Sequence, residues 1–423
     1  MTQRPGDFSQ PTVEQPVPPS QHRLGAIEPL DELQATLPAT LPEISSLDVR
    51  SIPKTSAERC RVASIAASVD QDIHLAERIT AQEDTGKGLP SSYAEETVLY
   101  LAYGSNLASK TFLGMRGIKP ISKIPVLVPE LRLTFDLPGL PYAEPCFAGT
   151  EFRDPETLPE QESESEVEVE VEDKLLTESE YLSEKASLLV ETKEVHGDTV
   201  PRPRWDKPLV GVVYEVTLVD YAKIIATEGG GRGYKDVVVD CFPFAEDYTP
   251  TNPVPSHPST QSFKAHSLLS PSADEARKKT YAAKAGESSV TCRGSIFREV
   301  GSHLRPDPEY AQPSARYLGL LMTGAEEHDL PSSYRDYLSR IHPYTVTKTR
   351  QKLGKAAFLV VWAPPVLVML GFSRKFAGPD GRSPPWLISM SNAVWAAMWH
   401  SYDFFFRGIF GDGERTIGDT LAK

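Results

Sequence analysis

A chain of 423 residues with 37 prolines and a hydrophobic fraction of 40% holds more proline and less apolar material than a compact globule of its length, so part of it lies outside any core. The net charge of −14 gathers in one place, because Asp154 to Glu194 contains 15 Asp/Glu and 3 Lys, a local net of −12. The rest of the chain carries only −2, so the acidity belongs to one segment and says little about the functional surface, and no nucleic-acid partner is expected.

Cys60, Cys146, Cys241 and Cys292 make no CxxC pair and no metal-site spacing, which fits free thiols in a reducing compartment. The first twenty residues have neither a basic n-region nor an apolar h-region, so a cytoplasmic location is the expectation.

In chain order, residues 1–95 are rich in Pro, Ser, Gln and Thr and are expected to form a disordered arm, with a transient helix over Ser56 to Gln82. Order begins where Val98 to Tyr103 gives a short apolar run stopped by Gly104, Ser105 and Asn106, a strand running into a tight loop. A helix start follows at Ser109 to Met115, and Ile124 to Phe135 has the alternation and branching of strands. Residues 154–204 interrupt this with the Val/Glu alternation of Glu166 to Glu172, where like charges on one face repel, and a disordered acidic loop is expected.

Leu209 to Thr217 predicts a strand, Leu218 to Glu228 a helix, and Tyr234 to Phe242 another strand. A second polar insertion is expected over 245–287, after which Ser289 to Arg293 has the pattern to close the sheet again. Helices over Ala315 to His328 and Ser332 to Ile341 each start after a Pro or Ser. The fold class is therefore α+β, one domain over 96–345 with two disordered insertions.

Residues 346–423 differ in kind and are a candidate membrane anchor. Residues 356–372 are an uncharged apolar run of 17 residues, kinked at Pro364 and Pro365, at the short end of the about 17 to 25 residues that span a bilayer. Residues 386–410 add Trp and Phe clusters together with His400, Asp403 and Arg407, which suits an interfacial or re-entrant segment rather than a clean span. The competing reading is a hydrophobic helical pair packed against the globular domain.

The most informative string is Tyr100-Leu101-Ala102-Tyr103-Gly104-Ser105-Asn106-Leu107. A strand ending in Gly-Ser-Asn can turn its backbone N–H groups into a concavity that binds a carboxylate or an oxyanion. It can equally be a plain turn.

Together with Leu209 to Gly230 and Pro313 to Tyr334, and with Pro138 to Ala148, this string resembles the γ-glutamylcyclotransferase family, in its fungal form. The resemblance implies a mixed β-barrel with flanking helices. It implies that residues Tyr100 to Asn106 form a substrate loop, that Glu228 is the catalytic glutamate and that Tyr317 lines the substrate pocket. By the same resemblance a γ-glutamyl amino acid or peptide cyclises to 5-oxoproline, with Glu228 as general acid/base and no metal or cofactor required.

Arg232 departs from the expected pattern and would add a carboxylate clamp or alter substrate choice. Two other readings stand beside this one. One is a membrane-tethered, non-catalytic adaptor of the same fold; the other is a cyclotransferase whose substrate is glutathione or a glutathione-derived metabolite. The sequence does not fix the oligomeric state.

Overall fold

A computed structural model describes residues 49–76, 79, 96–153, 203–228, 234–269, 305 and 310–417. The acidic loop of 154–202, Arg232, Cys292 and the strand expected over Ser289 to Arg293 lie outside the described residues.

Five strands close into a barrel in the order β1-β5-β2-β6-β7. β1 (Thr97–Ala102) pairs antiparallel with β5 (Leu209–Thr217) along its whole length, and β5 pairs antiparallel with β2 (Ser122–Val128). β2 meets β6 (Lys235–Pro243) over only two residue pairs, and β6 runs antiparallel to β7 (Phe263–Leu269). The seam is completed by a short parallel contact of β7 with β1, Tyr100 opposite His266 and Leu101 opposite Ser267. Val98 to Ala102 and Leu209 to Tyr214 are buried without alternation, as expected of strands covered on both faces.

β7 falls inside the stretch expected to be a disordered insertion over 245–287. That expectation is corrected: Phe263, Ala265, His266, Ser267, Leu268 and Leu269 are all buried, and this strand closes the barrel. The described part of the preceding loop also joins the body, with Val254 in the core.

A second correction concerns the arm expected over 1–95. Residues 49–76 pack on the barrel through α1 (Ala57–Ala63) and a 3₁₀ turn at Val69–Gln71. Arg59 clamps Asp70 at 2.7 and 3.0 Å and reaches Glu215 of β5 at 3.0 Å, while Asp70 accepts the Leu99 N–H of β1 at 2.7 Å. The Asp70 side chain is fully buried, so the clamp removes an otherwise severe desolvation cost.

A separate hairpin, β3 (Leu131–Leu140) and β4 (Glu144–Phe152), projects from the barrel, with a register shift between Thr134 and Leu137. α2 (Leu218–Thr227) follows β5; Thr217 caps it by accepting the Asp220 N–H at 3.1 Å, and Leu218, Tyr221, Ile224 and Ile225 face the core. α3 (Ala315–Glu327) and α4 (Ser332–Ser339) cover the other side. At Gly324, α3 approaches so closely that a Cβ there would come within 2.6 Å of the Leu107 backbone.

The carboxy-terminal region is α5 (Thr349–Lys375), α6 (Pro385–Ser401), a π-helical stretch at Tyr402–Phe406 and α7 (Arg407–Phe410). They enclose a second small core of Tyr142, Phe358, Met398, Trp399, Tyr402 and Phe406. Tyr142, at the tip of the β3–β4 hairpin, donates from its hydroxyl to the carbonyls of Phe406 and Gly411 at 3.1 and 2.7 Å. The helical pair therefore packs on the β3–β4 hairpin. Among the described residues, α5 is the helix long and apolar enough to cross a membrane.

Candidate active site

β1 ends at Ala102 and the chain turns through Gly104 into a 3₁₀ turn, Ser105–Leu107. The turn closes on itself, since Leu107 N–H donates to the Gly104 carbonyl at 3.0 Å and Ala108 N–H to the Ser105 carbonyl at 3.2 Å. These bonds use carbonyls. Among the described residues the N–H groups of Gly104, Ser105 and Asn106 have no backbone acceptor, which leaves them open to a ligand.

Opposite the turn stands Glu228, the residue that stops α2. Its N–H donates to the carbonyls of Ile224 and Ile225 at 3.0 and 3.3 Å, so the last helical turn fixes its backbone. Its Oε1 accepts from Asn106 Nδ2 at 2.9 Å and from Arg116 Nη2 at 2.7 Å. Both bonds fall on the same oxygen, and Oε2 receives none among the described residues. Asn106 Nδ2 also donates to the Tyr100 hydroxyl at 2.8 Å, while its buried Oδ1 has no partner.

Arg116 reaches the site from the end of a π-helical segment, Lys110–Met115, and also donates to the Thr227 hydroxyl. Its Nε is buried without a partner. Tyr317 comes from the first turn of α3, capped by Ser314, and its hydroxyl accepts the Ala148 N–H of β4 at 3.0 Å. The same hydroxyl lies 3.3 Å from where a Cβ on Gly104 would stand, so glycine gives the tyrosine its place beside the turn. The Tyr103 hydroxyl donates to the Leu268 carbonyl of β7 at 2.8 Å.

Burial raises the ionisation of Tyr100, Tyr103, Tyr234 and Tyr317 above the ordinary phenol range, and the negative charge of Glu228 adds to the rise at each. All four rings are neutral phenols at physiological pH. The cleft they border is further lined by Gly104, Ser105, Asn106, Ala148, Glu228 and Leu268.

Residues 348–409 match the family model of the AclK C-terminal domain. Gamma-glutamyl cyclotransferase gliK of Aspergillus fumigatus is 27% identical over 318 residues, which covers 75% of this chain and 89% of the relative. This chain is similar over three quarters of its length to proteins named gamma-glutamyl cyclotransferase. Gamma-glutamyl cyclotransferase aclK of Aspergillus oryzae is 26% identical over 76% of this chain and 91% of its own length. Among solved structures, a gamma-glutamyl cyclotransferase aligns with 60% of this chain and 93% of its own at 14% identity and a TM-score of 0.31.

Of the residues that the cyclotransferase resemblance nominates, Tyr100, Tyr103, Gly104, Ser105, Asn106, Glu228 and Tyr317 share the cleft. Leu101 and Ala102 do not line it; they are buried in β1. Sequence reasoning missed Arg116, Tyr234, Ala148 and Leu268. Arg116 carried a faint signal, a cation closing the helical segment after the turn, but only the fold brings it to Glu228.

Proposed function

We propose that the protein is a γ-glutamyl cyclotransferase that takes a γ-glutamyl amino acid or peptide and releases 5-oxoproline and a free amine. The observation that carries this reading is Glu228, anchored through Oε1 with Oε2 unpartnered, across from the open amides of Gly104 to Asn106.

The chemistry follows from that arrangement. The α-ammonium of the substrate is not a nucleophile until it loses a proton, and Oε2 of Glu228 is the acceptor in reach. The freed amine attacks the γ-carbonyl of its own chain; a C–N bond forms, the ring of 5-oxoproline closes, and negative charge develops on the carbonyl oxygen. Amides of the Gly104 to Asn106 turn stabilise that charge. The C–N bond to the attached amine then breaks as Glu228 gives its proton to the leaving nitrogen, and the second proton that the ring nitrogen carries after attack passes to the freed amine, which departs as an ammonium. Atoms balance with no further reactant.

Because attacker and electrophile belong to one molecule, the protein chiefly bends the substrate into an attack geometry, and well-oriented intramolecular reactions reach effective molarities of about 10⁵ M or more. Neutral phenols at Tyr100, Tyr103, Tyr234 and Tyr317 suit this task, since they offer hydrogen bonds without a charge that would compete for the ammonium. Arg116 supplies the positive charge that keeps the carboxylate oriented.

The test is incubation of the full-length protein with a panel of γ-glutamyl dipeptides and glutathione, with 5-oxoproline and free glutamate measured together. Formation of 5-oxoproline without glutamate is expected. Glutamate as the product would mean hydrolysis by water, and no product from any member would remove the reading.

A further inference from the structure

The apolar carboxy-terminal region is not absorbed by the cleft chemistry. One face of α5 is used inside the protein: Gln351, Gly354 and Phe358 are buried, and Ala357, Trp362 and Val366 pack on the second core. The opposite face carries Leu353, Val360 and Leu367 at seven-residue spacing, 63%, 62% and 50% exposed. Val361, Val368 and Leu370 widen the stripe. In the most apolar stretch of this helix only 6% of the residues are buried, an exposed apolar area that water does not favour.

Both ends of the helix are tied to the same body. At its start, Gln351 donates to the Asp412 carbonyl at 2.7 Å. Beyond its end, the loop to α6 packs on α2: Gly381 has φ +76°, and a Cβ there would collide with the Ala222 carbonyl. Trp362 further donates to Ser401 of the returning chain at 2.9 Å. A helix whose two ends rest on one globular body runs along it, and its loop cannot stand on the far side of a bilayer while Gly381 sits on α2. Pro364 and Pro365 also leave the carbonyls of Val360 and Val361 without helical donors, a cost in hydrocarbon that headgroups and water relieve.

The charge pattern selects the occupant. Residues 348–409 hold eight Lys/Arg and two Asp/Glu, a net of +6 in a chain of net −14. Lys348, Arg350, Lys352 and Lys355 gather at one end of α5 and Arg374 and Lys375 at the other. Phe376 stacks edge-on against Trp386 beside them, at 5.6 Å, an aromatic pair of the kind found at headgroup depth. A second copy would set +6 against +6. An anionic lipid surface complements both the cations and the apolar stripe.

We propose that the outer face of α5 seats the protein flat on an anionic bilayer, with the helix lying in the headgroup plane and the enzymatic domain on one side. The inference is independent of the cyclotransferase reading, and its test does not use activity. Purified full-length protein is floated with preformed phosphatidylcholine vesicles containing about a quarter phosphatidylserine, and with phosphatidylcholine alone. The protein is expected to float with the anionic vesicles, with several-fold less on neutral ones and at high salt.

The triple variant Leu353→Gln/Val360→Gln/Leu367→Gln is expected to lose at least tenfold in bound fraction with its melting temperature unchanged. Unaltered flotation of that variant would overturn the proposal, as would a vesicle-independent dimer that the three glutamines dissolve. A second variant, Lys352→Gln/Lys355→Gln/Arg374→Gln, keeps the test open if the first fails to fold, and it should flatten the lipid-charge dependence. Finally, bound protein should pass to an excess of fresh acceptor vesicles. Retention on the donor vesicles would show a helix that crosses the bilayer and contradict the in-plane seat.

Discussion

At the scale of single residues, Arg116 divides a positioning role from a substrate clamp. Its Nη2 holds Glu228 at 2.7 Å, and both side chains are mostly buried. Arg116→Met removes that hold, and kcat is expected to fall by about 10- to 100-fold with KM changed only a few-fold, because the base loses its orientation while the substrate contacts remain. Arg116→Lys should recover part of kcat. A large rise in KM at constant kcat would reassign Arg116 to binding the substrate carboxylate. His328 gives a second residue-level test. Its Nε2 lies 2.7 Å from the Tyr214 hydroxyl and 3.1 Å from the Leu107 carbonyl, and its Nδ1 lies 3.2 Å from Lys123 Nζ. Burial and the Lys123 charge push its ionisation down to about 3, with the Leu107 contact opposing. The unfolded chain binds the proton first, so stability from neutral His328 is complete above pH about 6.5 and is lost as pH falls from there towards about 3. Thermal melts between pH 7 and 4 should therefore fall more steeply for the parent than for His328→Gln. Parallel curves would show that the histidine is not neutral in the folded state.

At the scale of elements, the strands built around runs of branched apolar residues are legible in the sequence, and β7, which lacks such a run, is not. Leu209 to Thr217 is read with its observed bounds because branched residues fill it from end to end. β7 escapes because its window mixes Lys264, His266 and Ser267 with a flanking run of Pro, Ser and Thr. His266 is nevertheless buried, held by Asp236 at 2.8 Å and by the Val69 carbonyl at 3.0 Å, partners that only the closed barrel supplies. The same holds for residues 49–76, whose attachment depends on Arg59 meeting Glu215, 156 positions away. Within the cleft, Glu228 and the Tyr100 to Asn106 string are legible through the family pattern, whereas Arg116 is defined by tertiary approach. Arg59→Met would leave the buried Asp70 carboxylate without its cation, and a loss of about 3 to 5 kcal/mol is expected in urea unfolding. A change below about 1 kcal/mol would mean that the amino-terminal segment rests on the barrel without stabilising it.

At the scale of the whole molecule, the barrel, the β3–β4 hairpin and the carboxy-terminal helices are one connected body. Gln312 N–H donates to the Glu414 carbonyl at 2.8 Å, Thr345 N–H to the Thr416 hydroxyl at 2.9 Å, and the Tyr142 ring is enclosed by Phe358 and Tyr402. The region read as a candidate membrane anchor therefore also covers apolar surface of the globular domain, as the competing reading of a packed helical pair has it. Ending the chain at Thr347 exposes Tyr142 and removes these bonds, so the truncated protein should melt at least several degrees lower than the full chain. An unchanged melting temperature would make the helices an independent appendage. The central claim, that Glu228 moves the proton while the turn at Gly104 to Asn106 holds the oxyanion, is tested most directly by single-turnover release of 5-oxoproline from Glu228→Gln. Glutamine keeps the shape and loses the basic oxygen, so the rate should fall by about 10² to 10⁴ while substrate affinity changes little. A rate within a few-fold of the parent would contradict the account.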